Sequence, residues 1–73
     1  MQPDKRFKAG AITATVWENK QDNYSYFTVS LEKSYKDKTG NWKTTNTMKI
    51  DELPKAKMAL EKAYEYLLFT KAA

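Results

Sequence analysis

The chain has no cysteine and no histidine, and only two glycines and two prolines among its 73 residues. Without cysteine no disulfide can form, and with histidine also missing a structural zinc site lacks both of its usual ligand types, so no metal is expected. The same absence removes the commonest nucleophile and base pairs. A catalytic site would need paired carboxylates, a Ser with a Lys, or a bound cofactor. Two glycines cannot build a phosphate-cradling loop, and the acidic residues form no spaced pair on one strand face, so neither an enzyme nor a cofactor is expected. No apolar run approaches the roughly 18 residues of a membrane span. The start, Met1-Gln2-Pro3-Asp4-Lys5-Arg6, has charge but no apolar core behind it, so no signal peptide is expected either. These absences predict an intracellular protein, in cytoplasm or nucleoid or in a eukaryotic nucleus, without a membrane partner.

A chain of this length makes one domain. It buries only about 60 to 65% of the surface its unfolded form exposes, so its core offers little margin over chain entropy. With disulfides and zinc excluded, oligomerisation is the support left. The net charge is +4, and its placement is uneven. Residues 1–50 hold nine basic side chains against five acidic ones, whereas residues 51–73 hold four of each. All the excess positive charge lies in the first two thirds, which favours a polyanionic partner.

The most strongly patterned stretch runs from Tyr24 to Tyr35, turns over Asp37-Lys38-Thr39-Gly40 and returns along Trp42-Lys43-Thr44. Alternation places Phe27, Val29 and Leu31 on one face of a strand and Tyr24, Tyr26, Thr28 and Ser30 on the other. Asp early and Gly late fit a type I turn followed by a positive-φ residue. Upstream, Met1 to Arg6 reads as a mobile arm (residues 1–6), ahead of one sheet-plus-helix domain over 7–73. Phe7 to Trp17 is small, apolar or β-branched and predicts one strand, or two joined at Gly10. Trp42 to Ile50 predicts the last strand, with Met48 and Ile50 on one face. The expected class is α+β: a curved antiparallel meander of about four strands followed by one C-terminal helix.

That helix should start at Asp51 as its cap, take Pro54 in its first turn and run to about Thr70. Leu53, Ala56, Leu60, Ala63, Tyr64 and Leu67 recur at spacings of three and four, and this stripe should lie on the sheet. Tyr66, Leu68 and Phe69 make the last turns apolar nearly all round. A second chain is the natural cover, so a homodimer is expected with Leu60, Tyr64, Leu67, Leu68 and Phe69 in its interface.

The order Phe7-Lys8-Ala9-Gly10, Phe27-Thr28-Val29-Ser30-Leu31, Tyr35-Lys36-Asp37-Lys38-Thr39-Gly40, Asn41-Trp42-Lys43 and a closing helix from Asp51 resembles the DNA-binding domain of the Positive Cofactor Four family of transcription coactivators. The likeness spans residues 7 to 69. It implies a Positive Cofactor Four or Whirly-like dimer, helices packed between protomers, and curved sheets whose open faces hold single-stranded DNA with little sequence preference. A stacking aromatic of the family matches Tyr35, another falls in the Trp17 to Lys20 region, and a family Lys matches Lys43. The chain departs from the pattern at Glu32-Lys33 and at Thr44-Thr45-Asn46-Thr47, where the family carries basic residues. The Ser-rich regulatory arm of the eukaryotic members, and the control it carries, are not expected here.

Physical chemistry points the same way. Trp17, Tyr24, Tyr26 and Trp42 are candidates for an exposed stacking layer, joined by Tyr35. Lys20, Lys33, Lys36, Lys43 and Lys49 are candidates for phosphate contacts. The expected partner is single-stranded nucleic acid, DNA favoured over RNA, with transcription or replication proteins as further partners. Two other readings remain at this point: a single-stranded RNA chaperone, and a dimeric protein adapter that binds no nucleic acid.

Overall fold

A computed structural model describes residues 2–71. Strand β1 (Gln2–Ala9) pairs with β2 (Ile12–Lys20), β2 with β3 (Ser25–Lys36) and β3 with β4 (Trp42–Thr45), all antiparallel, in the sheet order β1-β2-β3-β4. A 3-10 turn (Ile50–Glu52), helix α1 (Leu53–Tyr66) and a wide π-helical turn (Leu67–Lys71) close the chain. The expected α+β meander with one C-terminal helix is therefore the observed architecture.

Its edges differ from expectation in instructive ways. Residues 2–6, expected as an arm, belong to β1, so the sheet begins well before Phe7. Met1 lies outside the described residues. Their polar composition hid the strand because one of their faces meets solvent, and Asp4 is the extra residue of a bulge between Pro3 and Lys5. The alternative of two strands joined at Gly10 is the one realised. Ala9 pairs with Ile12 across a two-residue turn in which Gly10 has φ +64 and Ala11 does not. That is a type II′ hairpin, whose twist suits the flanking strands.

The turn after β3 follows its sequence signature. Asp37 Oδ1 accepts from the Thr39 N–H and the Asn41 N–H, both at 2.9 Å, and from Thr39 Oγ1 at 2.7 Å, while Gly40 takes φ +86. These bonds, the Thr39 hydroxyl foremost, hold the Asp37 carboxyl below its usual pKa. The last strand is shorter than expected. It stops at Thr45, and the stretch to Ile50 leaves the sheet to reach the helix.

The helix start is also corrected. Glu52, rather than Asp51, satisfies the free backbone donors: its Oε1 accepts from the Lys49 N–H at 2.7 Å, and its own N–H donates to the Lys49 carbonyl at 2.9 Å. Pro54 sits in the first turn as expected. The helix runs on to about the expected end, but past Tyr66 it widens into the π-helical turn Leu67–Lys71.

The larger correction concerns which stripe of α1 is buried. Ala56, Ala59 and Ala63 are sealed against Ile12, Ala14 and Val16 of β2, with Phe7, Ala9, Tyr66 and Leu67 packed around them. Of the expected stripe, Ala56, Ala63 and Leu67 are covered as expected, but Leu53 is 52% exposed, Tyr64 is 65% exposed and Leu60 is exposed. Alanines let the helix backbone approach the sheet closely, and the two largest sealed side chains, Ile12 and Val16, contribute about 1.5–3 kcal/mol each by burial. A leucine stripe would have held the helix off. Tyr66 then ties the helix end to the bulge, its hydroxyl donating to Asp4 Oδ2 at 2.6 Å, which raises the phenol pKa above 10.0. Among the described residues no helix is long and apolar enough to cross a membrane.

Candidate nucleic-acid interface

Residues paired directly across an antiparallel ladder point to the same face. The pairs Ala14 with Leu31, Val16 with Val29 and Glu18 with Phe27 therefore share the helix side with Phe7 and Ala9. The opposite face, which α1 does not cover, is set by Lys8 with Thr13 and Glu32, Arg6 with Thr15 and Ser30, Trp17 with Thr28, Asn19 with Tyr26, Ser34 with Thr44, and Lys36 with Trp42. Its rings and cations are Trp17, Tyr26 and Trp42 with Arg6, Lys8 and Lys36.

The aromatics gather at its two ends. At one end Trp42 is 69% exposed, and the Lys36 ammonium lies 5.5 Å from the centroid of its indole, close enough for a cation–π attraction. Lys8 reaches across from β1 to line, with Ser34, Trp42, Lys43 and Thr44, a hollow of about 270 Å³. An indole wall, an ammonium and two hydroxyls together offer stacking and hydrogen bonding to a base or a phosphate. At the other end Tyr24 and Tyr26 hold their rings 6.1 Å apart at 32°. Trp17, half-buried, lies along the sheet, since its Nε1 donates to Ser30 Oγ at 2.8 Å. Asn19 Nδ2 donates to Thr28 Oγ1 at 3.1 Å beside it. Between the ends the face carries hydroxyls (Thr13, Thr15, Thr28 and Ser30) and the carboxylate of Glu32.

The expected site is therefore divided. Trp17, Tyr26, Lys36 and Trp42 share the open face, divided between its two ends, with Tyr24 beside Tyr26 in the loop. Lys20, Lys33, Tyr35 and Lys43 have the register of the helix side. Lys33 Nζ binds Glu52 Oε1 at 2.9 Å in a half-buried pair that pins β3 to the start of α1, so its charge is already matched. That pair is the leading cause of a lowered Glu52 pKa, with the Lys49 N–H next. Lys43 Nζ lies 3.4 Å from Asp37 Oδ2 and braces the turn. Tyr35 and Lys49 line a hollow with Lys33, Thr45, Thr47 and Met48, facing away from the open sheet. Exposed Lys20 ends β2 opposite Ser25.

Arg6, set aside as part of an arm, and Lys8, passed over, are further cations of the open face. The signal was available: upstream of Gly10 the alternation Arg6, Phe7, Lys8, Ala9 continues the strand period with basic residues on one side. Comparison of the chain with protein-family models, with curated proteins and with solved structures finds no match.

Proposed function

We propose that this protein binds single-stranded DNA, with little sequence preference, on the sheet face opposite α1, and acts as a homodimer in transcription, replication or repair. The observation that carries the reading is the shared face of Trp17, Tyr26 and Trp42 with Arg6, Lys8 and Lys36. Rings exposed beside ammonium and guanidinium groups suit a ligand that alternates flat bases with phosphates. Among the described residues the face has no deep cleft that would select one base, and stacking tolerates every base. The resemblance to the Positive Cofactor Four domain supports the same partner, although Lys33 and Lys43, the latter its matched lysine, are committed to carboxylates here. The dimer is supported by large side chains left in solvent on the helix side and tail: Leu53, Leu60, Tyr64, Leu68, and Phe69 at 82% exposure.

Titration of intrinsic Trp fluorescence with oligo-dT, oligo-U and duplex tests the reading. Quenching by oligo-dT should reverse with salt, with a slope of about −0.7 per neutralised phosphate on a double-logarithmic plot. Each stacked base contributes about 1–3 kcal/mol, so Trp42→Ala should weaken binding roughly 5- to 150-fold, and the pair Trp17→Ala and Trp42→Ala should remove most of it with the helical signal intact. Stronger quenching by oligo-U would move the function to RNA. Silence toward every oligonucleotide would leave a protein adapter.

A further inference from the structure

β4 covers only part of its neighbour. It pairs with β3 from Lys33 to Lys36 and ends, whereas β3 begins eight residues earlier, at Ser25. From Ser25 to Glu32 the strand is bonded on the β2 side alone. The Ser34 N–H donates to the Ala11 carbonyl on that side, so the odd-numbered residues Ser25, Phe27, Val29 and Leu31 aim their N–H and C=O groups outward. Proteins usually blunt such an edge with charge, proline or a bulge. The segment from Ser25 to Leu31 has none of the three. Adjoining it on the helix side, Leu31, Met48, Ile50, Leu53, Leu60 and Tyr64 line an open apolar trough of about 940 Å³.

We infer that a second copy of this chain pairs its own β3 with this edge, antiparallel, about a two-fold axis perpendicular to the sheet near Thr28 and Val29. The inference rests on the dimer part of the proposed function and relocates its centre from the helix tail to the strand edge. Three observations favour the chain itself as occupant. The free edge has the length of the segment it would receive, and each β4 stops where the partner's strand would begin. Self-pairing brings no like charges opposite one another, because Glu32 meets uncharged residues near the start of the other copy's β3. The same axis keeps both helices on one side, so Phe27, Val29 and Leu31 of the two copies adjoin and each trough is closed by the other. The two open faces then merge into one eight-stranded surface, and the nucleic-acid site doubles without a break.

Val29→Pro removes an outward N–H without touching the β2 ladder, a place where an edge strand tolerates proline. By sedimentation it should weaken the dimer at least tenfold while far-UV circular dichroism stays native. Because the chain has no cysteine, single replacements report proximity directly. Thr28→Cys or Val29→Cys should give a covalent dimer under mild oxidation, and Lys38→Cys in the distant turn should not. A wild-type dimer unaffected by Val29→Pro, with no cross-link at either position, overturns the edge placement and leaves the dimer standing. A wild-type monomer at micromolar concentration that still binds oligo-dT overturns the dimer and leaves the DNA face.

Discussion

The helix side of the sheet has two halves, and they are finished differently. Over β1 and β2 the helix seats three alanines on Ile12, Ala14 and Val16 and excludes water. Over β3 the larger residues are only partly covered: Phe27 and Leu31 pack against the margin of the core, Val29 is exposed, and Leu31 lines the trough with Leu53, Leu60 and Tyr64. The sealed half is built from small side chains and the open half from large ones. Burial here follows closeness of approach more than side-chain hydrophobicity: the alanines bring the helix backbone down onto β1 and β2, and bulkier groups beside that contact are left partly exposed.

The sharpest break in that contrast comes from truncating each half in turn, under dilute conditions where the chain is monomeric. Ile12→Ala should cost about 2–5 kcal/mol in chemical denaturation because it opens a cavity in a sealed site. Ile50→Ala, at a residue 87% exposed, should stay within about 0.5 kcal/mol. Equal losses would mean that the two halves are packed alike. Next in size, Ala59→Leu should destabilise by about 1–3 kcal/mol through overpacking, although it adds hydrophobic surface. The opposite exchange on the trough side, Leu60→Ala, should barely move the monomer's denaturation midpoint and should weaken self-association in sedimentation.

Smaller effects test the ties that hold the helix across both halves. Glu52 has a lowered pKa when folded, so its contribution is present above the ordinary carboxylate range and fades as pH falls through the lowered value. Lys33→Met should therefore flatten the acid limb of the stability curve measured by urea midpoints. An unchanged limb would show that the Lys33–Glu52 pair does not anchor the helix start. The smallest shift is expected at the other end. The Tyr66 phenol has a raised pKa, so the folded state holds its proton longer and loses stability above pH 10.0, a loss that Tyr66→Phe should remove.

How far the site could be foreseen follows the same division. Trp17, Tyr26, Lys36 and Trp42 were placed together because strand alternation is a local property, and it holds through β2, β3 and β4. The ion pairs of Lys33 and Lys43 could not be foreseen because their partners, Glu52 and Asp37, are brought to them by folding, one of them 19 residues away. Arg6 was discounted because a polar start resembles an arm until β2 is there to pair with it, whereas Lys8, inside the expected first strand, was passed over.

Local chemistry was enough to write the order of elements. A two-residue period, an Asp-to-Gly turn and a Pro in the first helical turn each act over a few residues, so no distant contact is needed to read them. The centre of the buried helix face was not open to that reading: Ala56, Ala63 and Leu67 of the expected stripe are covered, whereas Leu53, Leu60 and Tyr64 beside them are not. Leu53, Leu60 and Tyr64 make as good an apolar stripe as Ala56, Ala59 and Ala63, and only the tight fit of a helix against Ala14 and Val16 separates them. Periodicity counts hydrophobic groups, whereas packing selects by shape.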